Sequence, residues 1–230
     1  LQHATSHGRG GRWRAIRLPT MAPETPPART TPPPIRYQDM AQAFPEGEID
    51  VSALVPGDGP IELEIGFGRG AFLIGRAVAA PDSRVIGVEI KSKWAHIVEP
   101  RRITLGLGNA RAFGADIREV LPRFRPDASL SRVFVHFPDP WWKKRHAKRR
   151  VLEDSLLDEV ARLLIPGRGE LFVQTDVDDR AHELVALLRE HGAYRLSGDA
   201  SGLVSENTYG ARSNREARAA LDGLPVYRVL

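Results

Sequence analysis

From Ile61 onward the chain alternates short apolar runs with helix-length amphipathic stretches, and this alternation restricts the fold more than any other feature. Ile61–Ile65 reads as the first strand, Arg84–Glu89 as the second and Ala110–Ala115 as the third, with Arg132–Phe137 and Gly169–Thr175 following. Helices are expected between them at Ala71–Ala80, Ser92–Thr104, Ile117–Leu121 and Val151–Ile165. A further helix, Asp178–His191, has an acidic start and Gly192 beyond its end. Tyr194–Ser197 and Val226–Leu230 are expected to add two more strands. Strand and helix in succession predict an α/β domain, with a mostly parallel seven-stranded sheet covered by helices on both faces.

The chain before this pattern has a different character. Seven of its 18 prolines precede residue 35, with Pro32-Pro33-Pro34 in succession, and apolar residues are sparse. Residues 1–45 are therefore expected to form a disordered tail and residues 46–230 the folded domain. Residue 1 is leucine, and Met21 stands as an alternative start. The net charge of +4 belongs to the tail: residues 1–40 hold six arginines against Glu24 and Asp39, and the remainder balances at 27 basic and 27 acidic residues. A cationic run in that remainder is thus a local patch, which suits docking better than general stickiness. The absence of cysteine excludes disulfides and thiolate metal sites. The seven histidines have no ligand-like spacing, so no metal is expected. No apolar run reaches membrane-spanning length, and the Arg-rich start lacks the apolar core of a secretory signal, so a cytoplasmic protein is expected.

Glycines follow the first strand at once, in Glu64-Ile65-Gly66-Phe67-Gly68-Arg69-Gly70. Such a turn lets backbone approach a ligand, and a helix N-terminus beyond it favours polar or anionic groups. Gly66, Gly68 and Ala71 fit a dinucleotide-binding turn, while Glu64 with Gly66, Gly68 and Gly70 fits the turn that holds S-adenosylmethionine (SAM). Glu89, about twenty residues on, suits ribose hydroxyls in either case. Glu64 tips the balance towards SAM, because a carboxylate there suits a cationic amino-acid moiety and repels a pyrophosphate. Asp116 opens Asp116-Ile117-Arg118-Glu119, a capping-box pattern, and is also placed to accept from an adenine amino group.

The fourth strand runs into Phe137-Pro138-Asp139-Pro140-Trp141-Trp142, and six of the next eight residues, Lys143 to Arg150, are basic. Two prolines fix the backbone around one carboxylate at a strand's carboxyl end, where open α/β sheets place their chemistry. Indoles and cations beside it suit a nucleobase on a polyanionic backbone. The cations do not serve the helix expected after them, since positive charge at an N-terminus opposes its dipole.

Residues 137–150 resemble the signature of bacterial tRNA (guanine-N7)-methyltransferases, and the likeness extends over roughly residues 48–230, to Glu64, Glu89, Asp116 and Gln174-Thr175-Asp176. The resemblance implies a Rossmann-like SAM-dependent methyltransferase fold and methyl transfer to N7 of guanosine at position 46, in the variable loop of tRNA. It implies that Glu64, Glu89, Asp116 and Asp139 line the SAM pocket beside Gly66 and Gly68, with Asp139 also catalytic. Lys143 and Asp176 would then contact the substrate, and Arg145, His146, Lys148, Arg149 and Arg150 the tRNA backbone. The family's C-terminal Thr-x-Tyr/Phe-Glu element is degraded, matching Ser213-Asn214-Arg215-Glu216, with Thr208-Tyr209 as a rival. His136 and His146 carry no catalytic reading and are taken as strand and loop residues. The rivals in function are a SAM-dependent enzyme acting on another nucleic-acid base, a nicotinamide oxidoreductase and a non-catalytic RNA-binding module.

Overall fold

The computed structural model describes residues 42–138 and 152–230, all within one unit, Ile35–Leu230. Asp139, Lys143, Arg145, His146, Lys148, Arg149 and Arg150 lie outside the described residues, as does the tail to residue 41. A short parallel pair comes first in the chain, β1 (Ile49–Asp50) against β5 (Phe124–Arg125). The main sheet contains β2 (Ile61–Ile65), β3 (Arg84–Glu89), β4 (Ala110–Gly114), β6 (Leu130–His136), β7 (Glu170–Thr175) and β8 (Tyr227–Val229). Its order is β4-β3-β2-β6-β7-β8, parallel except for β8, which runs antiparallel to β7. The order reverses between β2 and β6, and a doubly wound sheet opens its crevice at such a point.

The sheet therefore has six strands among the described residues, not the seven expected. Tyr194–Ser197 is not a strand. It lies along the outer edge of β8 and makes one backbone bond there, Ser197 N to Leu230 O at 2.7 Å. The chain then turns at Gly198, where a Cβ would meet Leu203 O at 2.7 Å, and returns to β8 through Val204 N to Arg228 O at 2.9 Å. Two isolated bonds on either side of a turn do not make a ladder.

Helices cover both faces. Val133 and Val135 of β6 point to the face packed by α5 (Asp154–Leu163) and α6 (Asp178–Glu190), through Leu157, Val160, Leu184 and Leu188. Phe134 points to the opposite face, where α2 (Ala71–Ala79) brings Phe72 to a ring distance of 4.7 Å. That face continues through α2 onto α3 (Ser92–Thr104), with Leu73 and Val98 in one cluster. Three further α-helices, α1 (Val51–Leu54), α4 (Ile117–Val120) and α7 (Asn214–Asp222), and a 3-10 turn at Leu121–Arg123 complete the described part. Phe44, within the stretch read as tail, stacks on Phe113 at 4.2 Å and so packs against the domain.

The alternation Ile-Glu-Leu-Glu-Ile in β2 looks like a strand with one wet face, yet all five residues are buried. Glu62 is neutralised in place. It accepts from Arg76 Nε and Nη2 at 2.7 Å, from Arg132 Nη1 at 2.8 Å and from Ser83 Oγ at 3.2 Å. Arg76 also donates to Tyr209 O at 2.7 Å, which fastens the segment before α7 over the same face.

Candidate active site

The glycine turn is built by backbone requirements that differ along its length. Gly66 and Gly68 sit at φ of 76° and 51°, and a Cβ on either would meet nothing within 4 Å, so the turn needs them for conformation and leaves open space beside them. Gly70, at φ 72°, heads α2, and a Cβ there would stand 2.7 Å from both methyls of Val98. The third glycine therefore serves the packing of α2 on α3. Glu89 spans the turn: Oε2 accepts from Gly68 N and Oε1 from Lys91 N, both at 2.9 Å. Each oxygen keeps a lone pair for a further donor.

A cleft of about 390 Å³ opens beside this turn, over the carboxyl ends of β2, β3 and β6. Gly66, Gly68 and Glu89 form one wall, and His136, Phe137 and Pro138 another. Ile90 and Ile117 supply apolar surface between them, Ile90 being 60 % exposed in spite of its chemistry. Asp116 also lines the cleft and caps α4 by accepting from Arg118 N at 3.0 Å. The hydrogen bond from the Arg118 side chain holds the Asp116 carboxyl below the usual carboxylate range. The capping reading of Asp116 holds together with its place in the cleft, although its side chain bonds Arg118 rather than Glu119. Trp94 is a lining residue that the sequence did not single out, with the Arg69 guanidinium 5.4 Å from its ring. Its signal was a lone aromatic in the first turn of the helix after Glu89.

Glu64 lies on β2 at the base of the turn, 1 % exposed. Burial, together with the charge of Glu89, pushes its carboxyl up to about 8, and Leu73 N–H donates to it. Its Oε2 has no partner among the described residues. A buried acceptor without a donor, an acid at the next strand's end, an apolar slot and a turn open to backbone approach fit an adenosine that bears a cationic amino acid. They fit a pyrophosphate poorly, since Glu64 would repel it.

At the neighbouring end of β7 the structure joins two elements expected to meet the substrate. Arg215 donates to Asp176 through Nε at 2.9 Å, and its guanidinium lies 5.5 Å from the Phe137 ring. Phe137 adopts φ 50°, held by its N–H to Gln174 O at 2.7 Å, a conformation that non-glycine residues adopt at a cost. Ser213 caps α7 by accepting from Glu216 N at 3.2 Å, and Asn214 is exposed. Glu216 instead points inward, 2 % exposed, and accepts from Gln174 Nε2, Asn207 Nδ2 and Arg228 Nη2. The rival Tyr209 is packed among Phe134 and Phe172. Among the described residues no cluster of three metal-ligating side chains occurs, and no helix is long and apolar enough to cross a membrane.

A family model described as a putative methyltransferase matches residues 58–229. The tRNA (guanine-N(7)-)-methyltransferase of Synechococcus sp. (strain JA-3-3Ab) is 38 % identical over 169 residues, 74 % of this chain and 70 % of the relative. That of Myxococcus xanthus (strain DK1622) is 35 % identical over 202 residues, 87 % of this chain and 95 % of the relative. Among solved structures, the 16S rRNA methyltransferase KamB superposes with a TM-score of 0.52 at 16 % identity, covering 75 % of this chain and 86 % of its own. At that identity the likeness is one of fold.

Proposed function

Because this chain belongs to the tRNA (guanine-N(7)-)-methyltransferase family, we propose that it transfers the methyl group of SAM to N7 of a guanosine in tRNA, at position 46 of the variable loop. The observation that supports it best is the meeting of two features at the strand-order reversal. The cleft over the glycine turn runs directly onto Phe137-Pro138, the first two residues of the family's signature. When bound, SAM supplies a sulfonium methyl that the free lone pair of guanine N7 attacks without a general base. The protein's part is then positioning and electrostatics. Glu89 would accept from ribose hydroxyls, Ile90 and Ile117 would offer apolar surface to the adenine, and Asp116 would accept from its amino group. Asp139, directly after Pro138 in the chain, accepts from the guanine edge and stabilises the positive charge passing onto the purine. Lys143, Asp176, the half-buried Ser213 and the exposed Asn214 and Arg215 contact the nucleoside, while the buried Glu216 acts through Gln174. Incubation with unmodified tRNA and methyl-labelled SAM, followed by nucleoside analysis, tests this reading: 7-methylguanosine is expected, and its absence or another methylated nucleoside would overturn it.

Three results should follow. Glu89→Ala should weaken SAM about ten- to a hundredfold by calorimetric titration, the loss of one or two charge-assisted hydrogen bonds. An unchanged dissociation constant would remove Glu89 from the cofactor. Glu64, with its carboxyl raised to about 8, carries a proton at neutral pH, and an ammonium placed beside it favours the ionised form. SAM binding there should release close to one proton, read as a dependence of the binding heat on buffer ionisation, and Glu64→Gln should abolish that dependence. Replacing Arg149 and Arg150 by alanine should raise the Michaelis constant for tRNA and lower its salt slope by about one unit or slightly less per phosphate contact. Equal slopes for variant and wild type would retire this docking surface.

A further inference from the structure

The side chain of His136, the last residue of β6, ends a chain of polar contacts whose direction is fixed from its far end. Arg228 and Asn207 both donate to Glu216, which is therefore an accepting carboxylate. An accepting carboxylate requires the amide nitrogen of Gln174, and Nε2 of Gln174 stands 2.8 Å from Glu216 Oε1. The Gln174 oxygen is thereby turned to His136, 2.7 Å from Nδ1, so Nδ1 carries the proton and donates. Nε2 is left with a bare lone pair. Burial among Phe72, Phe134 and Phe172 pushes the imidazole down to about 4, so it stays neutral at physiological pH. His136 is 9 % exposed and lines the cleft, yet Nε2 has no partner among the described residues. A buried acceptor without a donor is unfavourable, and a ligand that supplies the donor removes that cost.

A second orphaned acceptor lies close by. Glu64 is in register with Phe134, so Glu64 and His136 share one face of adjacent strands. Gly66 follows at the end of β2, and a Cβ there would meet nothing within 4 Å, which leaves room for a group to reach both. A neutral imidazole acceptor and a buried carboxyl that a cation would ionise, beside an open turn, call for a cation with several N–H donors. The SAM ammonium carries three.

We propose that His136 Nε2 accepts a hydrogen bond from the methionine ammonium of SAM, sharing that group with Glu64 Oε2. His136 is then a cofactor-binding residue, and Gln174 and Glu216 are positioning residues that set its tautomer. This inference rests on the SAM reading above. It accounts for the inward turn of Glu216, which leaves that residue acting on the cofactor end of the site rather than on the nucleoside.

Calorimetric titration of three ligands separates the possibilities: SAM, S-adenosylhomocysteine, and methylthioadenosine, which lacks the amino-acid moiety. His136→Asn keeps a donor for Gln174 and removes Nε2, and His136→Phe fills the aromatic pocket without either nitrogen. Both should weaken SAM and S-adenosylhomocysteine about tenfold or more while leaving methylthioadenosine unchanged, as expected for one hydrogen bond to a charged group. His136→Gln, which restores an acceptor near Nε2, should recover most of the loss. Unchanged SAM affinity in the first two variants would overturn the proposal, as would equal weakening of all three ligands. Failure of wild-type protein to bind SAM at all is a separate result that overturns the cofactor reading itself. Should the variants not fold, wild-type protein with 15N-labelled histidine decides. The His136 Nε2 resonance should move on saturation with SAM and stay in place with methylthioadenosine; no movement with SAM would overturn the assignment.

Discussion

Asp139→Ala should lower the rate of methyl transfer about 100-fold or more while leaving a folded protein that still binds SAM. The argument begins in the sequence, where Pro138 and Pro140 flank the only acid of the signature corner. The proline before it, Pro138, lines the cleft at the end of β6. Because N7 needs no base, lowering the barrier depends on where the guanine is held and on charge near the purine as it turns cationic. A single carboxylate meets both needs, so its removal should appear in turnover more than in cofactor affinity. Single-turnover transfer at saturating SAM, with circular dichroism as a control on folding, measures this. A wild-type rate in the variant would remove Asp139 from the reaction.

The largest effect on stability is expected away from the cleft, at Glu62→Gln. Glu62 is 0 % exposed and bridges Arg76 and Arg132, so the substitution keeps its volume but leaves two guanidinium groups without their shared counter-charge. Breaking one side of a buried ion pair costs about 3–5 kcal/mol, a large part of the stability of a domain this size. Burial alone would raise the Glu62 carboxyl, but the hydrogen bonds and charges of Arg76 and Arg132 outweigh it and hold the carboxyl below its ordinary value of 4.5. Its contribution is therefore present above that value and lost as pH falls through the folded one. Urea unfolding at neutral pH should show the full deficit, and the gap to wild type should narrow in acid. A variant as stable as wild type at neutral pH would mean that the arginines find other partners.

What the sequence disclosed depended on how local each cause was. Parallel strands buried on both faces leave near-continuous apolar runs, so β3 and β7 stood out within a residue and β6 within two. The glycine turn and Glu89 were legible for a similar reason, since backbone conformation and strand ends leave marks on adjacent residues. Helix α7 went unread, although Ser213, Glu216 and Gly223 mark its two ends, because the segment was aligned to a substrate motif instead. Glu62 and Glu64 are the opposite case. Their alternation suggests a solvated face, and only Arg76, Arg132 and the 207–211 segment, brought in by the fold, make that face interior. The contacts that orient His136 join residues 38 and 42 positions apart, beyond the reach of any periodicity.

That long reach has a consequence for how the protein comes into being. Synthesis runs from the N-terminus, so the glycine turn, Glu89 and His136 all leave the ribosome well before Arg228. Without the Glu216 carboxylate, which Asn207 and Arg228 hold in place, Gln174 is free to turn either way and His136 to carry its proton on either nitrogen. Along the chain, the residues of the nucleoside half of the cleft thus precede those that orient its amino-acid half. A full-length chain that lacks the Glu216 carboxylate should hold an adenosine but discriminate poorly between those that carry an ammonium and those that do not.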